Sequence, residues 1–170
     1  MLGFFVKAGT FYISWQIIYD LFLLPNGQPD EFLSLSVATL AKSALSLSGW
    51  DINCSGRVIV IEGYRGVEVL NGCNALNLMA LYSGFIIAFK GPLKSKIQYL
   101  LIGLIMIYLL NILRIMAFSL ATVYFQQHWD VFHEFSPFIF FYPFVLYLWY
   151  QWTLVSEKGP TPSMSGQFSA

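Results

Sequence analysis

The stretch IQYLLIGLIMIYLLNILRIMAFSLATVY, residues 97–124, is an apolar run that carries a single charge, Arg114. At a helical rise of about 1.5 Å per residue, a run of this length crosses the roughly 30 Å hydrocarbon core of a bilayer with room to tilt. It therefore predicts a transmembrane helix. An ionisable side chain within such a helix is costly and indicates function by default.

The composition of the whole chain agrees with a membrane protein. The 170 residues are 57% hydrophobic and 11% charged, against about 25% charged in a typical soluble domain. Nine basic and nine acidic residues balance, so no nucleic-acid partner is indicated and membrane lipids are the expected surroundings. We predict an all-α polytopic membrane protein with one domain, residues 1–155, and a disordered cytoplasmic tail, residues 156–170.

Three further apolar runs predict three more spans. The four predicted helices run from about Phe4 to Leu24, Asn74 to Phe89, Ile97 to Tyr124 and Phe135 to Val155. The first run is not followed by a small-x-small cleavage site, so we expect it to remain as a transmembrane helix.

A long insert, residues 25–72, separates the first two predicted spans. Residues 31–47 have apolar side chains at helical spacing and predict an amphipathic helix on the membrane or on the bundle. Residues 57–70, RVIVIEGYRGVEVL, alternate around the turn Gly63–Gly66 and predict a β-hairpin that leads directly to Cys73.

The distribution of lysines predicts the orientation. The short loop after the second span contains Lys90, Lys94 and Lys96 and no acid, so it is expected in the cytoplasm. Both termini are then cytoplasmic as well. The insert and residues 126–134 face outward, and the protein is expected to be a multi-pass protein of the cell (inner) membrane with its site on the outer face.

Three reactive residues from three segments are predicted to lie at one depth. Cys73 precedes Lys90 by 17 positions, or roughly 26 Å of helix. Arg114 follows Lys96 by 18 positions, or roughly 27 Å. His133 comes immediately before the fourth span, on the same outer side. Scattered core residues would have no reason to converge in this way.

These residue types suit acyl transfer to a cysteine. Cys73 is expected at a helix N-terminus, where the dipole favours a thiolate. Arg114 would stabilise that thiolate or an oxyanion, Asn111 one turn earlier would orient Arg114, and His133 would carry the proton. The residues next to the cysteine and the histidine are counted as supporting residues: Asn74 and Glu134.

Each residue also has a plainer interpretation. Cys73 could be a small apolar helix residue, Arg114 could reach to the interface, and His133 could be an ordinary loop histidine. The two histidines and two cysteines are too scattered to form a zinc site, so neither a metal nor an organic cofactor is predicted.

At these residues the sequence resembles the exosortase/archaeosortase family of integral-membrane sorting enzymes. Many members of the family have Cys-Ser-Gly and then an arginine after the cysteine, whereas this chain has Asn77 in place of that arginine. It also has fewer predicted spans than many relatives, so a homo-oligomer or an accessory subunit could complete the substrate groove. The blocks that carry the resemblance are VLNGCNAL at 69–76, LNILRI at 110–115 and FHEF at 132–135.

The resemblance implies a cysteine transpeptidase that acts on substrate proteins with a C-terminal signal, made of a short motif, a transmembrane helix and a basic tail. Cleavage near the motif would transfer the protein to an anchor or an export route. By position, the resemblance implies that Cys73 is the nucleophile, Arg114 its thiolate or oxyanion partner and His133 the base.

Two other functions remain open from the sequence. A thiol–disulfide oxidoreductase would use Cys54 and Cys73 in the oxidising outer compartment, although the chain has no Cys-x-x-Cys motif. A non-catalytic membrane scaffold or assembly subunit would need none of the three reactive residues.

Overall fold

The computed structural model describes residues 2–157 and is mostly helical, with one small sheet. Its helices are α1 (Leu2–Ile18), α2 (Leu24–Asn26), α3 (Gln28–Leu47), α4 (Leu76–Ala88), α5 (Leu93–Tyr124), α6 (Trp129–Phe140) and α7 (Tyr142–Glu157). Its strands are β1 (Ile52–Ser55), β2 (Val58–Ile61) and β3 (Val67–Glu68). A π-helical segment, Tyr19–Leu23, joins α1 to α2, and a 3₁₀ turn, Gln126–His128, joins α5 to α6.

Two stretches within residues 2–157 are long and apolar enough to cross a membrane. They are α5, with 32 residues, and the α6–α7 stretch Val131–Ser156, with 26 residues. Helix α4 is apolar but shorter, and it begins at Leu76 rather than at the predicted Asn74. The predicted first span is helical but passes through the π-helical segment. The lengths therefore establish two candidate spans, and they leave the predicted count of four as a prediction.

The insert folds as a helix followed by a sheet. Helix α3 contains the predicted amphipathic segment, and it starts after Gly27, whose φ of +69° lets the chain turn sharply between α2 and α3. The predicted hairpin forms by antiparallel pairing of β2 with β3, in which Val58 lies opposite Glu68. The sequence did not predict β1, which pairs with the other edge of β2 to give the order β1–β2–β3.

Two apolar clusters hold the elements together. One side of α3 and one face of the sheet pack on the C-terminal half of α5, around Val37, Ile59 and Phe118. The second cluster joins α4, the N-terminal half of α5 and α7, around Tyr82 and Trp152. Because α5 contributes to both clusters, it fixes the position of the sheet relative to the helical bundle.

The predicted disordered tail, residues 156–170, lies almost entirely outside the described residues. Only its first two positions, 156 and 157, belong to the described chain, where they form the end of α7.

Candidate active site

Cys73 lies in the turn that connects β3 to α4. Its N–H donates a 2.9 Å hydrogen bond to the Leu70 carbonyl, and Gly72 has a φ of +85°. Helix α4 begins only at Leu76, with Ala75 as its N-cap. The expectation that Cys73 sits at the helix N-terminus is therefore wrong, because the chain needs a further turn before α4 begins. The helix dipole acts mainly within the first turn of a helix and falls off beyond it. A positive charge that stabilises a Cys73 thiolate must therefore come from a side chain rather than from α4.

A buried polar network holds this turn against α3. Asn74 is fully buried, and its Nδ2 donates to Asp30 Oδ1 over 2.6 Å. The Tyr19 hydroxyl donates to the same carboxylate oxygen over 3.2 Å. The Leu76 N–H donates to Asn74 Oδ1 over 3.0 Å, so Asn74 also forms the start of α4. Asn74, predicted as a supporting residue, thus links the cysteine turn to α3.

Arg57, which lies between β1 and β2, also holds this turn. Its guanidinium donates to Asn71 Oδ1 over 2.7 Å, two residues before the cysteine. The same group lies 3.7 Å from the Glu68 carboxylate. The sheet and α3 therefore fix the position of Cys73 together.

Arg114 points from α5 towards the cysteine and is only 5% exposed. Its Nε donates to the Ser136 hydroxyl over 2.9 Å, and its guanidinium carbon lies 4.8 Å from the centre of the Phe118 ring. The guanidinium is close enough to the Cys73 sulfur to interact with it electrostatically. No described carboxylate within residues 2–157 forms an ion pair with Arg114. Its positive charge is therefore directed at the thiol rather than neutralised by an acid.

His133 completes the group from α6. Its Nε2 lies 3.8 Å from Cys73 Sγ. The imidazole stacks on Phe118, with 5.2 Å between ring centres and 28° between the planes. The main-chain carbonyl of His133 accepts a 2.9 Å hydrogen bond from the Ser136 hydroxyl. Phe118 thus contacts both the guanidinium and the imidazole, and Ser136 links the guanidinium to the main chain of His133. Together they fix the two groups relative to each other.

Sequence reasoning missed Phe118 and Ser136, although their spacing contained a signal. Phe118 follows Arg114 by four positions in α5, and Ser136 follows His133 by three positions in α6. Residues at these spacings are neighbours on one side of a helix. A search of the same helix faces would have found both.

The other two predicted supporting residues form no hydrogen bond or ion pair with this group among the described residues. Asn111 is fully buried, but its amide has no hydrogen-bond partner among the described residues. Ser136, and not Asn111, bonds to Arg114, because α6 brings its hydroxyl to Nε. Glu134 is exposed and forms no hydrogen bond or ion pair within the described part of the chain.

Two clefts lie beside this group of residues, and they are named by the reactive residue that lines each. The cysteine cleft has a volume of about 480 Å³ and the arginine cleft about 470 Å³. The cysteine cleft is lined by residues that include 65–68, Leu70, Cys73, Phe118, Trp129 and His133. The arginine cleft is lined by residues that include Tyr12, Gln16, Asn77, Arg114 and Tyr142. The thiol and the guanidinium can therefore each be reached from a cleft.

The arrangement has the components of a cysteine nucleophile. A thiol with an imidazole in hydrogen-bond range and a fixed cation beside it can be deprotonated and can attack an electrophilic carbon. Within residues 2–157, no three His, Cys, Asp or Glu side chains cluster as metal ligands would.

Comparison with known proteins identifies the family. The family model described as transmembrane exosortase matches residues 1–168, nearly the whole chain. Neither a curated protein nor a solved structure gives a significant match. The family match, together with the two long apolar stretches, makes this a membrane protein. The resemblance noted at the cysteine, arginine and histidine blocks therefore extends over the chain as a whole, which belongs to the transmembrane exosortase family.

Proposed function

We propose that this protein is a membrane cysteine transpeptidase or peptidase that cleaves a C-terminal sorting signal of exported proteins at the outer face of the membrane. The observation that carries the proposal is the 3.8 Å approach of His133 Nε2 to Cys73 Sγ beside the buried Arg114. These residues come from three segments that are distant in sequence, and each lies in a block that resembles one of the family's.

The proposed reaction has two halves, the formation of a thioester on Cys73 and the transfer of the acyl group to an acceptor. His133 takes the thiol proton as Cys73 Sγ attacks the carbonyl carbon of the scissile peptide. Arg114 stabilises the resulting oxyanion. The C–N bond then breaks, the leaving amine takes the proton from His133, and a thioester remains on Cys73. An acceptor amine, or water, gives a proton to His133 as it attacks the thioester carbon. The C–S bond then breaks, the product is released, and the sulfur takes the proton back from His133, which restores both the thiol and the base.

The proposed topology has four membrane crossings with both termini in the cytoplasm. The segments that cross are the helix around α1, then α4, α5 and the α6–α7 stretch. The lysine-rich loop between α4 and α5 supports a cytoplasmic position for that end of the bundle. The cysteine turn, the sheet and the α5–α6 connection then lie on the outer side. The substrate's own transmembrane helix would lie beside α4 and α7.

The kinetics of Cys73 alkylation test the proposed group of residues. The full chain is purified in nanodiscs with Cys54→Ser, and the rate of Cys73 modification by iodoacetamide is followed by mass spectrometry. We expect His133→Ala and Arg114→Ala each to slow modification by at least about tenfold, because each removes a group that favours the thiolate. His128→Ala is the matched control, since His128 is an exposed histidine in the 3₁₀ turn. Equal rates in all four proteins would exclude a shared nucleophilic site.

Processing in cells separates the enzyme from the two alternatives. The native strain without this protein is complemented with wild type, Cys73→Ala or Cys54→Ala, and the C-termini of its exported proteins are compared by mass spectrometry. We expect Cys73→Ala to abolish signal removal and Cys54→Ala to preserve it. Both cysteines are free, and Cys54 Sγ contacts the Gly56 carbonyl within its own hairpin. Normal processing with Cys73→Ala would favour a scaffold, and loss with Cys54→Ala would favour a redox role.

A further inference from the structure

Strand β3 is an edge strand of the sheet, and residues of β3 line the cysteine cleft. The sheet has the order β1–β2–β3, so within residues 2–157 β3 pairs with β2 on one side only. Residues 65–68 and Leu70 line one wall of the cleft, and Trp129 and His133 line another. Cys73 lies beyond the end of β3, at the point where the chain turns into α4.

The register of the sheet identifies the free backbone groups. The Val69 N–H donates to the Arg57 carbonyl over 2.9 Å, so Val69 faces β2. Val58 lies opposite Glu68, which is then a non-hydrogen-bonded pair of the antiparallel ladder. The main-chain N–H and C=O of Glu68 therefore point away from β2. Such groups on an edge strand are available to pair with another extended chain.

We infer that the substrate segment before the scissile bond binds as an added strand along the free edge of β3. This inference rests on the proposed function and states how the same site holds its peptide. The cleft volume of about 480 Å³ lies within the roughly 300–1,000 Å³ of ordinary ligand sites. Main-chain pairing gives affinity without demanding a particular sequence, while side-chain pockets add selectivity.

The chain direction follows from the membrane. Strand β3 continues through Cys73 into α4, which leads away from the outer face. A substrate whose signal helix enters the membrane after the scissile bond runs in the same direction, so the added strand is parallel to β3. In a parallel pair, the Glu68 N–H donates to one substrate carbonyl, and the Glu68 carbonyl accepts from the substrate N–H two residues further on.

This geometry predicts that strand pairing depends on one substrate N–H and not on its two neighbours. The Glu68 carbonyl accepts a hydrogen bond from one substrate N–H only. The N–H groups of the adjacent substrate residues point to the other side of the added strand. A proline or an N-methyl group at the paired position therefore removes a hydrogen bond, while the same change one residue away leaves the pairing intact.

The test uses acetylated tetrapeptide chloromethyl ketones with randomised side chains as probes of Cys73, in the full chain in nanodiscs with Cys54→Ser. Matched pools carry one N-methyl group at each amide in turn. Each rate of modification is divided by that of iodoacetamide, which has no strand to pair with β3. We expect N-methylation at one amide to lower this ratio by about tenfold and at its neighbours to change it little. Equal ratios for all pools would overturn the inference.

Glu68→Pro tests the same edge from the enzyme side. Proline removes the N–H that faces the cleft, while the pairing of β3 with β2 uses Val67 and Val69 and is retained. Glu68→Ala is the matched control, because it also loses the carboxylate near Arg57 but keeps the N–H. We expect the unmethylated pool to react about tenfold more slowly with Glu68→Pro than with Glu68→Ala, at equal iodoacetamide rates. Equal peptide rates in the two variants would contradict pairing at Glu68.

The two proposals fail in different measurements. Loss of the His133 and Arg114 dependence of the iodoacetamide rate would refute the nucleophilic site, whatever the peptide pools show. An intact iodoacetamide dependence with no position-specific effect of N-methylation would refute only the added strand. If Glu68→Pro does not fold, the N-methyl series on the unchanged edge still decides the question.

Discussion

Arg114 keeps its charge in a buried position through contacts that only a guanidinium can make. Its Nε donates to Ser136, and its planar group lies over the ring of Phe118 and 5.6 Å from the ring centre of Phe141. An ammonium would keep the charge but could not donate along Nε while presenting a flat face to the aromatic rings.

We therefore expect Arg114→Lys to remain as impaired as Arg114→Ala, within about threefold, in both Cys73 alkylation and signal processing. Lys42→Arg controls for exchange between the two cations, since Lys42 lies on α3 outside the group. A fully active Arg114→Lys variant would show that charge alone is sufficient and would remove the geometric role of the guanidinium.

Asp30 holds the cysteine turn in place through its hydrogen bond to Asn74. It is fully buried, and its carboxylate accepts from both Tyr19 and Asn74. Replacing Asp30 by Ala leaves the buried Tyr19 hydroxyl without its acceptor, whereas Asn74 keeps its 3.3 Å hydrogen bond to the Asp30 main-chain carbonyl. We expect Asp30→Ala to lower the free energy of unfolding by about 1–3 kcal/mol.

Thermal unfolding in detergent measures this effect. Asp20→Ala is the control, because Asp20 is exposed and, among residues 2–157, accepts only from Gln16 one turn away. If Asp30→Ala and Asp20→Ala unfold at the same temperature, the buried network does not stabilise the turn.

The sequence predicted the proximity of Cys73 and Arg114 better than their other contacts. Helical rise is constant, so counting from Lys90 and Lys96 placed both at one level, and in the structure the guanidinium lies close to the sulfur. Lateral contacts depend on how α3 rotates against α5, which a residue count does not contain. Asp30 was missed for this reason, whereas the spacing of Ser136 from His133 contained a signal.

Among the elements, α4 and α5 approach closely at a glycine. A Cβ on Gly103 would overlap the ring of Tyr82, whose hydroxyl donates to the Tyr99 carbonyl over 2.7 Å and so cannot move easily. Inserting a methyl group into such a contact costs about 1–3 kcal/mol. The gain of alanine over glycine in helix propensity is up to about 1 kcal/mol.

We therefore expect Gly103→Ala to lower the unfolding temperature, whereas Gly9→Ala raises it slightly. Gly9 lies in α1 with nothing within 4 Å of an added Cβ, so only the helix propensity changes there. The two variants are compared by thermal unfolding in the same detergent. A Gly103→Ala protein as stable as Gly9→Ala would mean that the two helices can separate without loss.

The elements with a clear hydrophobic period were predictable, and the short ones were not. The buried side of α3, which includes Ser34, Val37 and Leu45, follows helical spacing, and the β2–β3 hairpin follows alternation. Strand β1, INCS, is too short and polar to alternate visibly. The division between α6 and α7 at Phe141 comes after Pro137, which lies inside α6, has no N–H for the helical hydrogen bond and so disrupts the helix there.

At the scale of the whole molecule, the proposed orientation places the two ends of α5 on opposite sides of the membrane. Lys94 lies at one end and Gln127 just beyond the other, and both are exposed. In a background with Cys54→Ser and Cys73→Ala, we expect a membrane-impermeant maleimide to label Gln127→Cys in intact spheroplasts. Lys94→Cys should be labelled only after the membrane is permeabilised.

Labelling of Lys94→Cys, and not of Gln127→Cys, in intact spheroplasts would show that the orientation is opposite to the proposed one. Labelling of neither or both would indicate that α5 does not cross the bilayer. The charge pattern predicted this orientation, because three lysines leave one loop strongly biased towards the cytoplasm. The number of crossings was harder to predict, since α4 is short and the first helix is interrupted by its π-helical segment.

The distribution of the candidate site over three segments affects how the protein is made. The ribosome releases Cys73 first, and His133 follows 60 residues later on α6. Until α6 has emerged and packed against Phe118, the nascent chain has a thiol and a cation but neither the imidazole nor the Ser136 hydroxyl. The proposed nucleophilic site is thus complete only after α6 has been synthesised and packed, and a chain that ends before that point would carry a thiol without its proposed base.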